Sequence, residues 1–203
     1  MLRIAFLTCS VALLGLLCAP AVQAQANEVQ AASLRAVEEG LVLDADIEFE
    51  LTPRLREAVA NGVPLYFVVE FELGRRRWYW FDENAASARL ESRVSYHALS
   101  RQYRLATGPL QQNFATLEDA LSVLKHVRNW LVVDRTVGFA DADYEAAVRL
   151  RLDTALLPKP FQLSALTSKE FHLETPWKRF IVHAPKQLPA PVESREPHQA
   201  NGR

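Results

Sequence analysis

Between Leu41 and Leu51 every odd position is apolar: Leu41, Leu43, Ala45, Ile47, Phe49 and Leu51. Asp44, Asp46, Glu48 and Glu50 fall between them. Successive side chains of a strand point to opposite faces, so this period of two predicts a strand with one buried face and one wet, acidic face. Thr52-Pro53 reads as a helix cap followed by proline at the first helical position, opening a short helix over 53–60 with Leu55 and Val59 inward, which Asn61-Gly62 ends. Val63–Leu73 alternates again, with Leu65, Phe67, Val69, Phe71 and Leu73 on one face. Gly74-Arg75 suits a two-residue hairpin loop with glycine at its first central position. That loop sets Leu73 opposite Arg76, Glu72 opposite Arg77, Phe71 opposite Trp78 and Val69 opposite Trp80. Residues directly opposite share a face, so both tryptophans face the core. Arg77, Tyr79 and Phe81 then share the outer face with Glu72, Glu70 and Val68.

Asp82-Glu83-Asn84 reads as the next turn. A fourth strand follows, with Ala88, Leu90, Val94 and Tyr96 inward, and a fifth over Gln102–Ala106 that Gly108-Pro109 interrupts. Thr116 caps the one long helical pattern, Leu117–Arg128, whose apolar stripe is Leu117, Ala120, Leu121, Leu124 and Val127. Glu118 and Asp119 in its first turn and Lys125 and Arg128 near its end suit the helix dipole. Short strands are expected over Trp130–Val133 and Tyr144–Leu152. Pro158 and Pro160 suggest an extended crossing, and a last strand spans Phe171–Val182 with a kink at Pro176. About eight strands against two helices, joined mostly by short turns, argue for antiparallel sheets rather than βαβ units. The expected fold is mainly β: an antiparallel, β-sandwich-like (α+β) single domain, with helices near 117–128 and 53–60 and the Thr116 helix closing one end.

The ends of the chain change the picture. Arg3 precedes an apolar run over Ile4–Ala19, and Val22-Gln23-Ala24 and Ala24-Gln25-Ala26 both fit a small-x-small cleavage rule, so residues 1–26 read as a secretory signal peptide. An uncleaved anchor at the inner membrane is the rival reading. Cys9 and Cys18 both lie in this segment, and Leu17 before Cys18 fits a lipoprotein site poorly. The mature chain therefore carries neither a disulfide, internal or to a partner, nor a thiolate site. Ala184–Arg203 is rich in proline and polar residues and reads as a disordered tail. The folded domain is expected over Leu34–His183.

Lys and Arg number 23, one of them Arg3, against 24 Asp and Glu. So even a balance argues against a nucleic-acid binder. The five histidines are scattered, with no pair at ligand spacing, and no nucleophile elbow, phosphate loop or dinucleotide fingerprint occurs. Neither metal nor cofactor is expected; His97 and His126 read as solvated surface. The stripe Asp44, Asp46, Glu48 and Glu50 spreads along a line instead of wrapping an ion. It reads as a solvated face opposite a basic strand such as Arg89/Arg93 or Arg149/Arg151. Arg77, Tyr79 and Phe81 are the candidate contact residues, because aromatic rings on an outer strand face suit binding.

Several runs are distinctive: Gly62-Val63-Pro64-Leu65-Tyr66-Phe67, Arg77-Trp78-Tyr79-Trp80-Phe81-Asp82, Ser95–Leu105, Arg149-Leu150-Arg151-Leu152-Asp153 and Leu157-Pro158-Lys159-Pro160-Phe161-Gln162. In these the chain resembles the domain of unknown function 4390 family, proteobacterial proline-rich signal-peptide proteins, over nearly all of Leu41–Val182. The resemblance implies a Gram-negative envelope location, with an envelope or inner-membrane partner such as a sensor kinase. It assigns no activity, cofactor or catalytic residue. The reading is a periplasmic, non-enzymatic binding or accessory module, linked to envelope sensing or assembly. Its alternatives are a hydrolase or lyase whose polar groups (His97, Arg101, Arg104 or Asp153) converge in three dimensions, and a structural protein tethered by its tail.

Overall fold

The computed structural model describes residues 27–75, 83–137 and 142–184. The signal segment, Trp78 and Trp80, the contact residues Arg77, Tyr79 and Phe81, and all of the tail but Ala184 lie outside them. Among the described residues nine strands form two antiparallel sheets. The smaller has the order β1-β2-β7, from β1 (Glu28–Val37), β2 (Gly40–Glu48) and β7 (His126–Asp134). The larger has the order β6-β5-β4-β3-β8-β9. It comprises β3 (Leu65–Arg75), β4 (Glu83–His97), β5 (Gln102–Thr107), β6 (Leu110–Phe114), β8 (Ala142–Leu152) and β9 (Lys178–Ala184). Three helices accompany them among those residues: α1 (Pro53–Ala60), α2 (Leu117–Lys125) and α3 (Lys159–Thr167). The expected β-sandwich-like architecture is the one found.

The core lies between the sheets. Leu41, Leu43, Ala45 and Ile47 of β2 are buried, as are Phe49 and Leu51 beyond its end. Opposite them lie Leu65, Phe67, Val69, Phe71 and Leu73 of β3. Thr52 caps α1 by accepting from Leu55 N at 3.3 Å, and Thr116 caps α2 by accepting from Asp119 N at 3.1 Å. Gly62 ends the first connection with φ of +84°, where glycine costs least. α2 packs against β2, β5, β6 and β7, closing one end of the sandwich.

The hairpin register differs from the sequence reading. β3 has β4 on one side and β8 on the other: Leu73 lies opposite Ala86 and Ala146, Phe71 opposite Ala88 and Val148, Val69 opposite Leu90 and Leu150. Both flanks are thus occupied, so Gly74-Arg75 is no two-residue loop and Glu72 faces Ser87 and Ala147 instead of Arg77. Glu83 and Asn84 belong to β4, opposite Arg75 and Gly74, rather than to a turn. The glycine signal is local, and pairing with two longer strands overrides it.

Several further elements depart from expectation. The helix from Leu117 stops at Lys125, and His126 begins β7, so Val127 is buried as a strand residue. Across so short a stretch helical and strand periods both admit Val127, and the β-prone run Trp130-Leu131-Val132-Val133 decides. Lys159–Thr167 is a helix instead of an extended crossing: Pro160 sits in its first turn, where no amide is required, and the Pro158 carbonyl accepts from Phe161 N at 2.9 Å. The last strand begins at Lys178, after a 3-10 turn at Lys169–Phe171. Only Leu173–Thr175 of the stretch between continues the pairing with β8, through Leu152 N to Leu173 O at 2.7 Å and Thr175 N to Leu150 O at 2.9 Å. Strands β1 and β6 have no clear counterpart in the sequence pattern. β1 alternates only weakly through Ala and Ser, and Gln111-Gln112-Asn113 of β6 is exposed on both faces.

Candidate functional site

The three-stranded sheet is too narrow to cover the six-stranded one. β1 lies against β8 and β9, and β7 lies against β4, so the inward faces of β5 and β6 have no strand opposite them. A cleft of about 260 Å³ remains there. Its floor is Val69 and Leu90 with Ser92, Leu105, Thr107, Leu110 and Gln112. Its walls are Val123 and Leu124 of α2 and Val127 and Trp130 of β7. The register makes Ser92 and Thr107 direct neighbours, and their hydroxyls bond each other at 2.9 Å. Two small residues at inward positions keep the floor low, and pairing their oxygens leaves it without an unmet polar group. Leu110 and Val123 face each other's elements across the mouth, 58% and 42% exposed.

The charged groups at the rim are committed elsewhere. Arg128 is salt-bridged to Asp46 and donates to the carbonyls of Ala45 and Val127 at 2.9 and 2.8 Å. His126 Nδ1 bonds the Ser122 carbonyl at 2.7 Å, so this residue is exposed as expected but sits at the helix-to-strand junction. Among the described residues no carboxylate lines the cleft. An apolar lining whose polar groups are hydrogen-bonded can hold apolar matter.

A second, shallower groove of about 490 Å³ crosses the outer face of β1, β2 and β7. Here the acidic stripe finds its partners. Arg35 meets Asp44 at 2.7 Å and donates to Asn129 Oδ1 at 2.7 Å, Asn129 N donates to Asp44 at 2.8 Å, and Lys125 pairs with Glu48. Hydrogen bonds from Arg35 and the Asn129 backbone hold the Asp44 carboxyl below the usual aspartate range. The basic neighbours are thus Arg35, Lys125 and Arg128, in place of Arg89/Arg93 or Arg149/Arg151. Arg89, Arg149 and Arg151 surround Glu70 on the other sheet instead. Among the described residues no three His, Cys, Asp or Glu side chains gather as a metal site.

His97, Arg101, Arg104 and Asp153 do not converge. His97 bonds Ser100 within the β4–β5 turn, where Arg101 has φ of +53°. Arg104 reaches Asn113 across β5 and β6, and Asp153 caps the 3-10 turn after β8 through Ala155 N at 3.1 Å. None of them lines either cavity. Arg77, Tyr79 and Phe81 lie outside the described residues, and the register that set them beside Glu70 and Glu72 is replaced by β4 and β8. The cleft draws on five strands and a helix, with every lining residue but Val69 between Leu90 and Trp130. Its traces in the chain are the polar Ser92 between inward Leu90 and Val94, and Leu110 just after Gly108-Pro109.

Comparison with curated proteins and with solved structures finds no match. The model of the domain of unknown function 4390 family matches residues 24–181, most of both sheets. The chain belongs to the domain of unknown function 4390 family.

Proposed function

We propose that the protein is an exported binding or accessory module of the cell envelope whose binding site is the cleft between β7 and β5/β6. The observation that carries this reading is the cleft itself: apolar walls, a floor lowered by the Ser92–Thr107 pair, and leucine and valine left exposed at its mouth. Exposed apolar side chains that rim a concave surface mark sites of association. An apolar fluorescent probe, anilinonaphthalene sulfonate, is expected to bind the folded chain there. Leu110→Glu and Val123→Glu should each weaken it at least about tenfold, roughly the penalty of placing a charge in an apolar contact. Ile181→Glu, on the exposed face of β9, should leave it unchanged. Probe binding indifferent to both cleft variants removes the cleft from consideration.

Export is supported by the basic start, apolar run and small-x-small exits of residues 1–26. Intact mass of protein from the envelope fraction is expected to give a new amino terminus at Gln25 or Asn27. Recovery of Met1, or of a lipid on Cys18, overturns it. An inner-membrane protein such as a sensor kinase is the partner class that this location suggests.

A further inference from the structure

We infer that the end of the sandwich carrying the β4–β5 turn and α3 rests on a bilayer surface that contains anionic lipid. The inference rests on the export reading and not on the cleft. Three exposed leucines lie at this end. Leu99 is 93% exposed at the tip of the β4–β5 turn, Leu156 49% in the 3-10 turn after β8, and Leu163 68% on α3. The ladders fix their common placement. Val94 of β4 pairs with Leu65, and Leu152 of β8 with Phe67, both at the start of β3, and each chain then runs on past that level. Between them lies α1, which touches β4 and the Lys169–Phe171 turn, and that turn in its place touches α3. A single exposed leucine carries no message; three at one end, set among cations, describe an interfacial surface.

The cations are Arg93, Arg101, Lys159 and Lys169, all exposed, and among the described residues none of them has a carboxylate partner. The carboxylates around α1 are already matched: Arg54 holds Glu57 and Glu170 at 3.1 and 3.7 Å, and Arg56 holds Glu118 at 2.6 Å. Glu28 and Glu50 stand at the corner of the small sheet, so the half of this end built on the larger sheet is the one that suits anionic headgroups. The amino-terminal segment says which surface that is. β1 opens with Glu28 opposite Glu48, where β2 stops, and Phe49 just beyond packs on Phe67, so the chain enters the domain at this same end. The apolar run Ile4–Ala19 ends eight residues before Asn27, a reach of at most about 29 Å. β3 alone, at 11 residues, is roughly 36 Å long. While that run occupies the membrane, only this end of the domain can lie against the lipid. Leucines entering the headgroup boundary, with arginine and lysine reaching phosphates, keep it there once the run is removed.

The test mixes protein purified from the envelope fraction with vesicles of phosphatidylethanolamine and phosphatidylglycerol that carry a photoactivatable phosphatidylglycerol. Crosslinked residues are then mapped by mass spectrometry. Within the folded domain, crosslinks are expected over 98–104 and 156–169, and not at Leu131 or Ile181, which are exposed apolar residues elsewhere. The double variant Leu99→Glu, Leu163→Glu should lower the yield at least about tenfold, and so should Lys159→Glu, Lys169→Glu. Both should keep the parent's melting curve in circular dichroism, since all four side chains are exposed. Ile181→Glu should change nothing. Crosslinks spread evenly to Leu131 and Ile181 overturn the inference, as does a full yield in either double variant. It is overturned equally by a yield that survives replacement of both lipids with phosphatidylcholine, or by crosslinks at this end that join a second protein chain instead of lipid. Intact mass of the same preparation tests export by itself, so failure of that reading and failure of this one are told apart.

Discussion

Phe67→Ala is expected to cost about 3–5 kcal/mol of stability in urea titration, among the heaviest losses a single truncation can produce here. Phe67 lies on β3, between β4 and β8 in the larger sheet, has no exposed surface, and holds the Phe49 ring at 5.7 Å from the opposite layer. Truncation removes contacts from both sheets at once. The flanking backbones are fixed by ladders on both sides of β3, so the gap collapses poorly and the cavity term adds to the lost transfer energy. Glu72→Ala on the same strand, five residues along and exposed, should stay within about 0.5 kcal/mol of the parent. A comparable loss at both positions contradicts the assigned inward face, because a slip of one residue in register exchanges the faces of the whole strand.

The contrast between Phe67 and Glu72 is visible in the sequence, since the alternation along Val63–Leu73 separates them before any partner is known. Face assignment of this kind is local, and it is also right for Leu41–Leu51 and for the threonine caps at Thr52 and Thr116. Which strand lies beside which is not local. Gly74-Arg75 fits a tight hairpin by residue type, yet β3 is flanked by β4, reached after the 76–82 connection, and by β8, about eighty residues on. Edge strands hide for another reason. β6 buries neither face, so Gln111-Gln112-Asn113 has no hydrophobic period to read. The cleft was illegible for the sum of these reasons: it exists because three strands face six, and strand counts per sheet follow from pairing rather than pattern. Ser92 is the clearer of the marks it leaves, a polar residue where alternation calls for an apolar one, and a serine there has a packing explanation as well as a binding one.

Glu70 supplies the sharpest electrostatic expectation. It sits on the outer face of β3, and the two ladders place Arg89 and Arg149 directly across from it, with Arg151 two residues along β8. Arg149 approaches at 2.7 Å, Arg151 at 3.1 Å and Arg89 at 3.6 Å, while the Trp177 ring stacks on the Arg149 guanidinium at 4.5 Å. The carboxylate is 9% exposed. Burial alone pushes its pKa up and is the largest single influence, but hydrogen bonds and attraction from Arg149 and Arg151 together outweigh it, and the net shift is downward. Glu70→Ala leaves two or three crowded guanidinium groups without their anion. It should cost about 2–4 kcal/mol near neutral pH, at the lower side for a buried pair because both close arginines keep about a quarter of their surface in water. Glu70→Gln preserves shape and isolates the charge. A carboxyl whose folded pKa lies below its unfolded one stabilises above the unfolded value and loses that contribution as pH falls through the folded value. The stability gap between the parent and Glu70→Gln should therefore be full at pH 7, begin to close only as pH falls below the ordinary glutamate value of about 4.3, and vanish once pH has fallen through the lowered folded value, where the parent carboxyl is itself protonated. Urea titrations at a series of pH values read that gap directly. A gap that stays constant into acid would mean that the network acts through packing rather than charge, and that the arginines find water or one another as readily as they find Glu70.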